Sequence, residues 1–346
     1  MRAEDFRGQV LQDVMPQQID LTDKKILLLL SQNCRISNTA IGRHLRLARE
    51  VVAYRIQQLI KREIITGFFT LIDQRRLGFE TFRVFIKLMN VTKENVMISS
   101  LLGREEVTLV SLCSGRYDLY FSVSVRTPEE FESFINSFLQ QYATSINDYT
   151  ILTFLHQDAM GNSFILGDGE VKDGSLMINR DKGSAFLDVF KRQNNKKQKI
   201  LDEKDKLILK YLLFNARAQL REVSDYSKVP LSAVKTKMQY LIESGFIKRF
   251  MPLISFAALG YQWFMVFLQL VGVNDKKLVI YMETNPNIEW YIRTIGPWNY
   301  QLSIFAKNSK EFHSIMNLLR EEFKENIIFF DSILIFDQLK FGCRIS

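Results

Sequence analysis

The chain of 346 residues is 47% hydrophobic and 12% aromatic, which supplies several small cores and excludes a largely disordered protein. Its net charge of +8 points to a polyanionic partner, nucleic acid or an anionic membrane surface. The cysteines (Cys34, Cys113, Cys343) and histidines (His44, His156, His313) are too few and too far apart for a disulfide framework or metal-ligand spacing, so no metal and no cofactor are expected. The N-terminus carries charges where a secretion signal needs an apolar stretch. Apolar runs such as the one starting at Ile26 fall far short of the roughly 20 residues that span a bilayer. The expectation is a cytoplasmic protein with no membrane association.

After an N-terminal extension over residues 1–18, an apolar helical run follows Asp23, whose carboxylate suits the start of a helix. A break at residues 33–37 separates it from a short helix over 38–45, and a longer helix follows over 51–62. In that last helix Val52, Ile56, Leu59 and Ile60 recur at helical spacing and are expected to pack on the other two. Three helices joined by tight turns are a helix-turn-helix signature. Ile65, Phe68, Phe69 and Leu71 then suggest two strands turning at Gly67, a wing that closes a domain at residues 19–72.

The pattern next changes to strand, helix, two strands meeting at Ser114 and Tyr117, helix and strand, over residues 73–156. Thr127, Pro128 and Glu130 form a helix start, and Phe131, Phe134, Ile135, Phe138 and Leu139 give that helix its apolar face. The order βαββαβ is ferredoxin-like. Both strand faces are apolar enough to need cover, with Phe121, Val123 and Val125 on one and a mixed set, Leu119, Tyr120 and Ser122, on the other. Residues 157–200 are rich in Gly, Asp, Asn and Lys and read as a linker, with a short helix over 185–193.

The chain then repeats itself. Residues 23–90 set against 205–272 without a gap give 21 identities in 68 positions, among them Ile26/Ile208, Arg35/Arg217, Leu59/Leu241, Gly78/Gly260 and Phe85/Phe267. A one-residue shift keeps Gly115 against Gly296. The chain is thus a tandem duplication, with a second helix-turn-helix at 201–254 and a second ferredoxin-like domain at 255–346. The copies differ in charge: residues 35–62 hold seven Lys/Arg against one Glu, and residues 217–244 hold five Lys/Arg against three Asp/Glu. Each phosphate neutralised adds affinity and salt sensitivity, so the first copy is the expected main DNA reader.

Asp23, Ile26 and Leu27, then Arg55, Ile56 and Leu59, Gly67 and Phe68, and Leu77 and Gly78 together resemble the Lrp/AsnC family of transcriptional regulators. The second copy keeps Asp205, Ile208, Leu209, Leu241, Gly245, Phe246, Leu259 and Gly260, but has Lys237 for the family's Arg and Arg249 for the wing Gly. The resemblance implies an α+β chain of two winged helix-turn-helix and two ferredoxin-like domains. It also implies an intrachain pseudo-dimer with the two sheets packed face to face, able to form further homo-oligomers. Its partner would be double-stranded DNA. Arg49, Glu50, Ala53, Tyr54 and Gln57 would meet base edges, with Arg49 pairing with guanine. Arg43, Arg46, Lys61 and Arg62 would hold phosphates, and Lys228, Lys235 and Lys237 would make weaker contacts from the second copy. Ala48 and Pro230 stand where the family usually has a capping Ser. Gly115 and Asp118 match the family's Gly-x-x-Asp, near which relatives bind amino acids or similar effectors. Gly296 keeps the glycine, while Asn299 replaces the Asp.

Two rivals stand beside this reading. Tandem chains of this fold also resemble siroheme decarboxylases, whose tetrapyrrole pocket uses His and Arg near the wing and first sheet strand. Here residues 67–79 and 249–261 contain no His. The other rival is an interaction scaffold without DNA binding, which the basic first helix-turn-helix argues against. The balance favours a regulator and not an enzyme.

Overall fold

The computed structural model describes residues 15–90, 92–159, 163–166 and 201–345. The helix expected at 185–193 lies outside these residues. In the first head, α1 (Leu21–Gln32) starts at Asp20, whose carboxylate accepts the Asp23 N–H at 2.8 Å. Helix α2 (Asn38–Leu45) is capped by Ser37, and α3 (Arg49–Lys61) follows Ala48, which makes no side-chain cap. The turn between α2 and α3 needs Gly42: a Cβ there would stand 2.5 Å from the Leu47 carbonyl oxygen. Val52, Ile56 and Leu59 bury against Ile26, Leu30 and Ile41, whereas Ile60 is exposed, just past the edge of the buried stripe.

Domain 1 of the ferredoxin pair comprises β2 (Glu80–Leu88), α4 (Glu94–Leu102), β3 (Val107–Gly115), β4 (Leu119–Val125), α5 (Pro128–Tyr142) and β5 (Ile146–Ala159). The second head has α6 (Glu203–Phe214), α7 (Leu220–Ser227) and α8 (Leu231–Glu243), and its sheet domain has β7 (Gln262–Leu270), α9 (Asp275–Thr284), β8 (Ile288–Ile295), β9 (Tyr300–Ala306), α10 (Ser309–Glu322) and β10 (Ile327–Phe341). Each head joins its sheet through a single strand, β1 (Ile65–Ile72) in the first copy and β6 (Ile247–Ile254) in the second.

The expected wing is therefore not a hairpin. The chain does not turn at Gly67, and β1 runs through it to pair antiparallel with β6, Phe69 opposite Met251. The backbone donors a hairpin would satisfy locally are met by the other copy. The heads are crossed over this ribbon. Cys34 N–H donates to Phe250 O at 2.8 Å, Thr70 Oγ1 donates to Leu212 O at 2.6 Å, and the Arg35 and Arg217 guanidiniums lie over the rings of Phe250 and Phe68.

The two ferredoxin-like sheets face each other, and their edges also join. The strand order β10-β3-β4-β2-β5-β8-β9-β7 closes into a barrel. Closure uses β5 and β10, which are 14 and 15 residues long and outrun their own sheets: β5 pairs with β8, and β10 with β3. Strand β5 thus runs past residue 156, and His156 lies within it, half-buried. Strand alternation sorts the two faces. Leu119, grouped above with Tyr120 and Ser122, belongs with Phe121, Val123 and Val125 under α4 and α5. Phe85, Tyr117 and Tyr120 point into the barrel and meet Met265, Phe267, Trp298, Ile333 and Ile335 of the second copy. Part of the expected linker is also built in, since Phe164, Ile165 and Leu166 fill the core beneath α1.

Candidate nucleic-acid interface

The buried stripe of α3 leaves the opposite face free. Arg49, Glu50, Tyr54 and Gln57 are exposed on it, Tyr54 at 65%, and Ala53 lies between them half-buried. Arg43 and Arg46, at the end of α2 and in the turn, and Lys61, at the end of α3, are exposed around this face. Arg46 adopts the left-handed conformation (φ 58°) that ends α2, which sets the angle at which α3 leaves the turn. Because Ala48 does not cap α3, the first amides of that helix keep their donors for an anion.

Arg62 is placed differently from its neighbours. Its guanidinium donates to Gln17 Oε1 at 3.1 Å and to the Gln18 carbonyl at 2.7 Å, which ties residues 17 and 18 to the first head. In the second copy Lys228 and Lys235 are exposed, but Lys237 is engaged: its ammonium lies 2.7 Å from both Asp202 and Asp205. That ammonium holds the Asp202 carboxyl down at about 2. Lys237 aligns with Arg55, which binds Asp20 and Asp23 at 2.8 Å in the same way. The pair staples the third helix of each head to the first, a role the cation's position on the helix alone does not reveal. The face of α8 otherwise carries Leu231, 51% exposed, where α3 has Arg49.

The turn at Gly115 and Asp118 lies at the junction of the copies. Gly115 (φ 123°) passes under β10, where a Cβ would stand 3.3 Å from the Ser332 carbonyl oxygen; at Gly296 (φ 144°) a Cβ would stand 2.5 Å from Leu152 Cδ2. Both glycines are thus required by the close approach of the other copy's last strand. Asp118 accepts the Leu88 N–H at 2.8 Å and pairs with Lys87 at 2.8 Å. Asn299 performs the first task in the second copy, accepting from Leu270 N–H at 2.9 Å and donating to Leu270 O at 2.7 Å. Among the described residues no group of three or more His, Cys, Asp or Glu is placed to hold a metal, and no helix is long and apolar enough to cross a membrane.

Comparison with known proteins agrees with this geometry. The AsnC-type helix-turn-helix domain matches residues 19–60. The chain is 34% identical over 125 residues to the HTH-type transcriptional regulator FL11 of Pyrococcus horikoshii, a match covering 34% of this chain and 80% of that protein. It is 26% identical over 153 residues to the HTH-type transcriptional regulator AldR of Mycobacterium tuberculosis, covering 43% and 86%. Over its full length it shares the fold of the siroheme decarboxylase NirDL, with a TM-score of 0.60, 12% identity and 94% of each chain covered. The relatives align with a single copy, and the decarboxylase shares the two-copy architecture at an identity that speaks for fold alone. The chain belongs to the Lrp/AsnC family of helix-turn-helix transcriptional regulators.

Proposed function

We propose that this chain is a sequence-specific regulator of transcription that binds double-stranded DNA chiefly through its first head. The observation that carries the reading is the exposed face of α3. Glu50, Ala53, Tyr54 and Gln57 stand ready for base edges, with Arg49 at its start and Arg43, Arg46 and Lys61 around it for phosphates. The crossed β1/β6 ribbon supports it further, because it fixes the spacing of the two heads before DNA arrives. Lys228 and Lys235 make the second head the weaker contact. The domain limits are those of the duplication, with the first sheet domain extended to Ala159.

Lys87, on β2, and Asp118, at the turn, offer a half-exposed, mutually paired cation and carboxylate, their side chains 36% and 30% accessible. Such a pair matches the two charged ends of an amino acid, and we assign the effector, an amino acid or similar small molecule, to it. Two experiments test the proposal. Duplex from the protein's own upstream region should bind more tightly than scrambled duplex, and a panel of amino acids should shift that affinity. A tetrapyrrole absorbance band in the purified chain, with no preference for either duplex, would favour the enzyme that shares the fold.

A further inference from the structure

Between the two heads lies a cavity of about 410 Å³. Arg35, Ser37, Asn38 and Arg49 line it from the first head, and Arg217 and Gln219 from the second. Arg35 and Arg217 are the same residue of the duplicated unit, brought face to face by the crossing of the heads. Arg35 donates to the Ala216 carbonyl at 2.6 Å, and Arg217 donates to Asn38 Oδ1 at 3.1 Å.

The charge of this cleft is unbalanced. Among the described residues none of the three guanidiniums has a carboxylate within ion-pair distance. Burial holds Arg35 and Arg217 below the usual arginine range, and Arg35 lowers Arg217 further. Cys34, between them, supplies no counter-charge, because burial pushes its thiol up to about 12. Glu222, in the first turn of α7, is turned onto the Gln219 N–H. Arg217 Nη1 is buried without a hydrogen-bond partner among the described residues.

Half-buried charge without a counter-ion is costly, and a guanidinium fork fits two oxygens of a tetrahedral oxyanion. Ser37, Asn38 and Thr39, at the start of α2, form the wall beside the guanidiniums. We propose that the cleft is a phosphate-binding site shared by the two heads, in which Arg49 and Arg217 grip the oxyanion and Arg35 completes the field. Its ligand is a phosphoryl group, either a backbone phosphate of DNA held at the pseudo-two-fold axis or the phosphate of a free small molecule. Arg49 then serves as a positioning contact and reads no base. In the second copy the same helix position is Leu231, so the site leans toward the first head.

The test has two arms, each run on the full chain and on Arg217→Gln and Arg49→Gln. In the first, inorganic pyrophosphate is titrated against a chloride control at matched ionic strength, and Tm is followed. A saturable rise in Tm that both substitutions abolish identifies a free phosphate ligand. In the second, one neutral methylphosphonate linkage is moved along the DNA site. One position weakening wild-type binding roughly tenfold, but leaving Arg217→Gln unaffected, identifies a backbone phosphate. Success in either arm supports the site and names its source, and failure of both overturns it. Arg49 makes no hydrogen bond within the described residues, so Arg49→Gln carries the test should Arg217→Gln fail to fold. A chain that bound no DNA at all would defeat the regulator reading and leave the pyrophosphate arm intact.

Discussion

Phe85 and Phe267 hold the same place in the two copies, and their rings meet edge to face at 5.0 Å inside the barrel. Both are fully buried. Tyr117 packs on both rings, and Trp298, its counterpart in the second copy, packs on Phe267. This contact across the pseudo-two-fold axis makes the two sheet domains one core. Phe267→Ala should destabilise the whole chain by about 3–5 kcal/mol in urea unfolding, in a single transition. A cycle with Phe85→Ala should show coupling of about 0.5–1.5 kcal/mol. Two separate transitions in the wild type would mean that the copies fold independently.

Asp118 and Asn299 do the same backbone work, so Asp118→Asn should keep the fold, with a loss of about 0–1 kcal/mol from the half-exposed Lys87 pair. Asp118→Ala leaves the Leu88 N–H without its acceptor and should lose about 1–3 kcal/mol. The conservative variant therefore isolates the charge. An effector response that survives Asp118→Asn unchanged would remove the carboxylate from ligand binding.

Lys237 is a staple between helices of the second head. Lys237→Ala leaves the Asp205 carboxylate, 3% exposed, without its cation and should destabilise the chain by about 2 kcal/mol. Its effect on DNA affinity at a temperature where the protein is folded should be small, whereas Lys235→Ala should weaken binding and flatten the salt dependence. If the two substitutions weakened DNA binding equally at unchanged Tm, Lys237 would be a DNA contact.

His156 makes folding pH-dependent. Burial lowers its pKa to about 4, with the Lys248 ammonium adding to the effect, from an unfolded value of about 6.5. The unfolded chain therefore binds a proton that the folded chain refuses. Stability is complete above about pH 6.5 and falls as the pH drops toward 4. At pH 5 the loss amounts to about 2 kcal/mol. Urea midpoints measured at pH 7.5 and pH 5 should differ in the wild type, and His156→Gln should narrow the difference. An unchanged difference would place the titrating group elsewhere.

Much of this architecture was legible in the residues. The 182-residue offset that aligns Phe85 with Phe267 revealed the duplication, and the cap at Thr127 marked a helix start that the structure repeats. What escaped depends on contacts distant in sequence. Gly67 reads locally as a turn, yet the strand continues through it, with a shift of register, because β6 offers a partner. The polar stretch after Leu155 lies at the expected end of the first sheet domain, yet β5 continues through it because β8 supplies hydrogen bonds. Lys237 and Arg217 look like free basic residues until the fold shows the aspartates beside the first and the second arginine beside the other.

The most direct test is the anisotropy of labelled duplex from the protein's own upstream region and of a scrambled duplex, across a salt series, for the wild type and Arg49→Ala. The upstream duplex should bind more tightly. Log K should fall steeply with log salt, and Arg49→Ala should lose affinity similarly for both duplexes, with the slope reduced by about 1. A loss confined to the upstream duplex would make Arg49 a base reader instead. Equal affinity for the two duplexes, or no binding to either at low salt, would contradict the reading of the first head as a sequence-specific DNA reader.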